Sequence, residues 1–219
     1  MIDFTAFDVD GTLFSSEQII HGVYVEGLKT YNGKYGSSLR VPAKEEIMKE
    51  IGKPIREIFD NLFGPGAVLF EALALEIGKV LIKQVKEKKG LLYGGVPETL
   101  ARLHASGMKM AVASNGRREY IEAILSAYSI DSLFEPGIFV EGPVKDKIGI
   151  LQRYIDAHRL DPAKTAMVGD RYTDLEAARE TGCVFIGCLF GHADRKELEG
   201  ADYFIEKFSD LPALLPANI

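Results

Sequence analysis

The sequence has little cysteine, no surplus of positive charge and no long apolar run, and each shortage excludes something. Its two cysteines, Cys183 and Cys188, lie on one apolar stretch with no His or Cys at metal-ligand spacing. A thiolate metal site and a disulfide framework are therefore excluded, and both residues read as core thiols pointing to opposite faces of a strand. A formal net charge of −6 removes any general attraction to nucleic acid or to an anionic lipid surface. A bound phosphate must then be held by local positive charge. No apolar run approaches the roughly 20 residues of a membrane span. The first residues carry acids where a signal peptide has a basic region, so the expectation is a cytoplasmic protein with no nucleic-acid or membrane partner. Internal repeats and low-complexity stretches are absent. The four histidines, His21, His104, His158 and His192, fall outside the motifs described below and read as structural or surface residues.

What is present describes an ordinary globular chain, with 47% apolar and 26% charged residues over 219 positions, enough to bury about 70% of the unfolded surface. Five short apolar runs, at residues 2–7, 108–113, 165–168, 183–186 and 203–205, read as strands. Helical patterns at 98–104, 118–127, 148–158 and 175–181 separate the later ones. That alternation predicts an α/β fold, a doubly wound parallel sheet. Between the first two strands lies a segment of helical spacing broken by Gly and Pro, at residues 15–89, which is too long for a loop. It predicts an inserted α-helical domain beside a core built from residues 1–14 and 90–219. The lysine-rich run at 83–90 reads as a solvated helix end, and residues 211–219 as a closing turn and tail.

The chemistry is concentrated where strands end. Phe7-Asp8-Val9-Asp10-Gly11-Thr12-Leu13 puts two carboxylates two residues apart after the first strand. Gly11 permits a tight path, and the Thr12 hydroxyl can fix a neighbouring carboxylate. Alone, Asp-x-Asp-Gly also describes an Asp-rich turn. The second strand, however, ends in Ser114-Asn115-Gly116, whose hydroxyl and N–H groups suit phosphate oxygens. The third ends in Gly169-Asp170-Arg171-Tyr172-Thr173-Asp174. In a parallel sheet these ends share one edge, where ligands bind. Clustered carboxylates require a cation, and an all-oxygen ligand set carrying a substrate phosphate fits Mg2+. A lysine is needed to screen phosphoryl group and nucleophile from one another. Lys145 and Lys147 are the candidates, with Lys147, directly before a helix, preferred.

Taken together, Asp8-Val9-Asp10-Gly11-Thr12-Leu13, Ser114-Asn115, Lys147 and Gly169-Asp170 with Asp174 resemble, in order, the four motifs of the haloacid dehalogenase superfamily. Gly94-Gly95-Val96-Pro97-Glu98-Thr99-Leu100 and the position of the insertion are similar to the phosphoglycolate phosphatase-like branch, in which the insertion is a cap. No Pro follows either lysine, a departure from the Lys-Pro often found in that branch. The resemblance implies a Rossmann-like core and a Mg2+-dependent phosphatase acting on a small, phosphoglycolate-like phosphomonoester metabolite, as a monomer or homodimer. In it Asp8 is the nucleophile and Asp10 the general acid and base. Asp8, Asp170 and the Asp10 carbonyl hold Mg2+. Ser114, Asn115 and Lys147 bind the phosphoryl oxygens, Thr12 belongs to the catalytic loop, and Asp174 orients Lys147 or a metal-bound water. Asp10 favours phosphoryl transfer over dehalogenation, which needs neither this acid nor Mg2+. In the cap, Gly52, Lys53 and Arg56 are the candidates to meet the substrate, with His21 and Tyr24 as weaker ones. Arg117 and Arg118 read as surface residues. Two alternatives remain open at this stage: a sugar phosphomutase of the same superfamily, and a non-catalytic phospho-acceptor module.

Overall fold

The structure, a computed structural model, describes residues 2–215. In chain order the elements are β1 (Phe4–Phe7), β2 (Phe14–Ser15), α1 (Ile20–Tyr35), α2 (Lys44–Glu50), α3 (Ile55–Phe63), α4 (Phe70–Lys86), β3 (Leu91–Leu92), α5 (Val96–Ala105), β4 (Lys109–Val112), α6 (Arg118–Ala127), α7 (Lys147–His158), β5 (Thr165–Gly169), α8 (Tyr172–Thr181), β6 (Val184–Cys188), β7 (Tyr203–Ile205) and α9 (Leu211–Leu214).

Five strands form one sheet in the order β4-β1-β5-β6-β7, with every pairing parallel. The α/β architecture is therefore a doubly wound sheet. The inner strands β1 and β5 are buried on both faces, so alternate residues serve different layers. Phe4 and Ala6 of β1 join the cluster under α7 and α8, while Phe7 joins the one under α5 and α6. Cys183 and Cys188 also divide between these two clusters, and both are free thiols. Only Cys188 lies on the strand, since β6 begins at Val184 and Cys183 precedes it, its N–H bonded to the Ala178 carbonyl; the strand ends later than its apolar run suggests because Gly187 and Cys188 continue the ladder with β7.

Local signals set the helix ends. Asp146 caps α7 by accepting from the Gly149 N–H at 2.9 Å. Helix α8 stops at Gly182, which takes the left-handed conformation that side chains disfavour (φ 74°). Helices α1 to α4 enclose a third apolar cluster of their own, including Leu28, Ile47, Phe59, Leu73 and Ile77. The two crossings between this helical unit and the sheet pair with one another, as β2 and β3 form an antiparallel ribbon, Phe14 opposite Leu92 and Ser15 opposite Leu91. Helix α4 runs through Lys86, and Lys89 pairs with Glu87 in solvent. At the other end of the chain Leu211 and Leu215 are buried around α9, and residues 216–219 of the expected tail lie outside the described residues. Among the described residues no helix is long and apolar enough to cross a membrane.

Candidate active site

β1 is flanked by β4 and β5, and the chain leaves β5 away from β4, so the crevice at their C-terminal ends lies where the winding reverses. Register places the functional loops there: Phe7 pairs with both Val112 and Val168, which sets Asp8 level with Ala113 and Gly169. Asp8, Ser114 and Asp170 follow at the same edge.

Lys147 enters this edge from the first turn of α7. Its Nζ stands 2.9 Å from Asp8 Oδ1 and 2.6 Å from Asp174 Oδ1, with all three side chains buried. Burial works against its charge, but Asp174 and Asp8 together hold its pKa above the ordinary lysine value. Lys145, by contrast, is exposed and donates to the Gly142 carbonyl at 2.6 Å. Asp174 also accepts from the Arg171 N–H at 2.9 Å, which ties it to the start of α8. Burial pushes its carboxyl up to about 7, against the pull of Lys147 and with Asp8 adding to the rise.

Asp8, Asp170 and Asp174 each offer an oxygen within 4.8 Å of the others. Asp170 accepts from Thr12 Oγ1 at 3.3 Å and from the His192 N–H at 2.6 Å. Burial, then Asp8 and Asp174, hold its pKa well above the carboxylate range. Gly11, at φ 91°, permits this approach, since a Cβ there would overlap the Asp170 carboxylate. One acceptor, Asp8 Oδ2, is buried with no hydrogen-bond partner. An acidic, oxygen-only set with a single ammonium fits a hard divalent cation.

The Asp10 carboxylate is not part of that triad and accepts from Tyr120 Oη at 2.6 Å. Burial pushes its pKa up to about 7, with Asp8 adding to the rise and the Tyr120 hydrogen bond opposing it. Ser114 is buried and its Oγ accepts from the Gly116 N–H at 3.2 Å. Asn115 reaches across to the helical unit, donating from Nδ2 to the Gly52 carbonyl at 3.1 Å. Gly52 holds φ 89° against the Arg171 side chain. Arg171 donates to the Lys49 carbonyl at 3.0 Å, and Tyr172 Oη to Glu57 Oε2 at 2.6 Å. Three side chains from the sheet edge thus grip the helical unit.

Asp10, Ser114 and Asn115 line a cavity of about 330 Å³ between the two units, together with Gly52, Lys53 and Tyr24. Arg56 lies elsewhere, its guanidinium 4.1 Å above the Phe70 ring, and His21 is exposed. Arg117 pairs with Glu71, and Arg118 with Glu141 and Glu122, all at the surface. His158 packs on Phe4 and Tyr154. Two residues of the site were not singled out from sequence. Tyr120 reads as an apolar position of an amphipathic helix, and its only signal is closeness to the Ser114 loop. His192 follows a strand that carries no motif.

The profile of the haloacid dehalogenase-like hydrolases matches residues 5–188. A phosphoglycolate phosphatase of Synechococcus elongatus is 32% identical over 122 residues, 55% of this chain and 57% of that protein. Pyrophosphatase PpaX of Anoxybacillus flavithermus is 25% identical over 218 residues, covering 95% of this chain and 94% of its own. Among solved structures, a predicted phosphoglycolate phosphatase from Haemophilus somnus 129pt superposes with a TM-score of 0.84 at 23% identity, covering 98% of both chains.

Proposed function

The chain belongs to the haloacid dehalogenase-like hydrolases, and from that membership we propose that it is a Mg2+-dependent phosphatase of a small phosphomonoester, working through an aspartyl phosphate on Asp8. The observation that carries this reading is Lys147, its ammonium buried between Asp8 and Asp174 at the edge that also presents Asp170.

Asp8 Oδ1 is engaged by Lys147, which leaves Oδ2, without a partner, to attack phosphorus. The Oδ2–P bond forms as the ester P–O bond breaks, and Asp10 gives its proton to the departing oxygen. Water then attacks the phosphoenzyme, returning its proton to Asp10 and freeing Asp8 and phosphate. Ser114 Oγ, the Asn115 N–H and Lys147 Nζ bind the phosphoryl oxygens, over which charge spreads in the transition state. Asp8 and Asp170, with the Asp10 carbonyl, would hold Mg2+, which when bound neutralises phosphoryl charge. Thr12 steadies Asp170, and Asp174 holds Lys147 in place. The helical unit of residues 15–89 serves as a cap that excludes water while the phosphoenzyme exists, and Gly52 and Lys53 face the substrate.

Inorganic phosphate release from a panel of phosphorylated metabolites is expected with Mg2+ and not with EDTA. Asp8→Asn should lower kcat by at least about a thousandfold with the fold intact. Full activity in that variant would sink the mechanism.

A further inference from the structure

The cavity beside Asp10 is walled mostly by the apolar side chains of the helical unit. Ile20, Tyr24, Ile51, Ile58, Phe59 and Leu81 line it, and its volume of about 330 Å³ lies within the range of small-ligand pockets, roughly 300–1,000 Å³. Asp10, Ser114 and Asn115 close one end, so the space is continuous with the catalytic edge. A leaving group departing toward Asp10 would occupy it.

Each cation around the cavity is already engaged by an acid. Lys53 Nζ lies 2.9 Å from Glu50 and 3.7 Å from Glu57. Lys79 is half exposed and shares Glu76 with Lys34, at 3.4 and 2.7 Å, and Arg117 lies 2.6 Å from Glu71. The remaining acids of the wall, Asp10 and Glu119, offer an anion no positive charge. A second carboxylate or phosphoryl group on the substrate would therefore enter apolar surroundings without a free cation, a costly burial. Ser16 in this wall has a buried Oγ with no hydrogen-bond partner. A mostly apolar wall with few polar groups is the pattern of a pocket for a neutral organic moiety.

We infer that the alcohol part of the substrate is uncharged and largely apolar, so that the preferred substrates are phosphomonoesters of aliphatic or aromatic alcohols and not of hydroxy acids. This inference rests on the phosphatase reading above and specifies its substrate class.

The test is a set of kcat/KM values with Mg2+ for ethyl, butyl, hexyl and phenyl phosphate, phosphoglycolate and inorganic pyrophosphate. Along the alkyl series kcat/KM is expected to rise about fourfold per added methylene, with hexyl phosphate at least about tenfold above phosphoglycolate. A flat series, or a preference for phosphoglycolate or pyrophosphate, would overturn the inference while leaving the phosphatase standing. Release of phosphate from none of the compounds would sink both. Gly78 of α4 lines the cavity and a Cβ there meets nothing within 4 Å. Gly78→Leu, which favours the helix, should fill this space and lower the hexyl-to-ethyl ratio by about tenfold. An unchanged ratio in a folded variant would place the alcohol elsewhere and reject the inference.

Discussion

In the proposed mechanism Asp10 owes its usefulness as an acid to its surroundings. A carboxyl in water gives up its proton far below neutrality, and a general acid must keep it at working pH. Burial, with Asp8 nearby, pushes Asp10 up to about 7. The protonated form then dominates below about 7 and is lost above it, so kcat is expected to fall on the alkaline side of neutrality. Tyr120 Oη donates to the ionised carboxylate and so opposes the rise. Tyr120→Phe should move the alkaline limb upward by about one pH unit, given the worth of a hydrogen bond to a charged group. A pH–rate profile that does not move would remove Tyr120 from any part in the proton transfer. The carboxylate was legible in the sequence because Asp8-Val9-Asp10 is a local pattern. Its partner was not, because Tyr120 lies 110 residues away and an aromatic in an amphipathic helix ordinarily means core.

Among the elements, the ribbon of β2 and β3 sets how the helical unit meets the sheet. Two-residue strands are too short to show any period, so sequence reading places a domain boundary here and nothing more. Phe14 is fully buried, and a Cβ added at Gly90 would overlap its ring. Tyr128 Oη donates to the Gly90 carbonyl, so the backbone has little room to retreat. Gly90→Ala is expected to cost about 1–3 kcal/mol of stability by overpacking, read as a lower denaturant midpoint at unchanged slope. Wild-type stability in that variant would show that the junction yields easily. The five sheet strands and the helices between them were legible because each carries a period of its own, buried runs for strands and spaced apolar residues for helices. Their ends were less so: β6 runs to Cys188 because β7 pairs with it, and pairing is invisible along one chain.

At the scale of the molecule, the sheet edge gathers Asp8, Asp10, Asp170 and Asp174 around one lysine, and this surplus of acid ties stability to pH and to metal. Asp10 and Asp174 each have a folded pKa near 7, above the ordinary 3.8. The raised value means that the folded state binds protons the unfolded chain has released. Their contribution is therefore complete below about pH 4 and lost as pH rises through about 7. In EDTA, the midpoint of thermal unfolding should fall between pH 5 and pH 8 on this account, and a rise across that interval would contradict it. Mg2+ at about a hundredfold excess over its Kd should restore about 2.7 kcal/mol, or roughly 5 °C or more in Tm. Asp170→Asn should abolish that response, and a Tm indifferent to Mg2+ in the wild type would argue against a metal at this edge. By itself the sequence determined the α/β class, the helical insertion and the acids, hydroxyl and lysine that meet, because these depend on residue type and local spacing. Only the tertiary structure decided that Lys147 and not Lys145 joins Asp8 and Asp174, that Tyr120 and His192 reach the acids, and that Tyr24 faces the cavity while Arg56 does not. Those outcomes depend on register across the sheet and on how the two units pack, and neither quantity is written in any short stretch of chain.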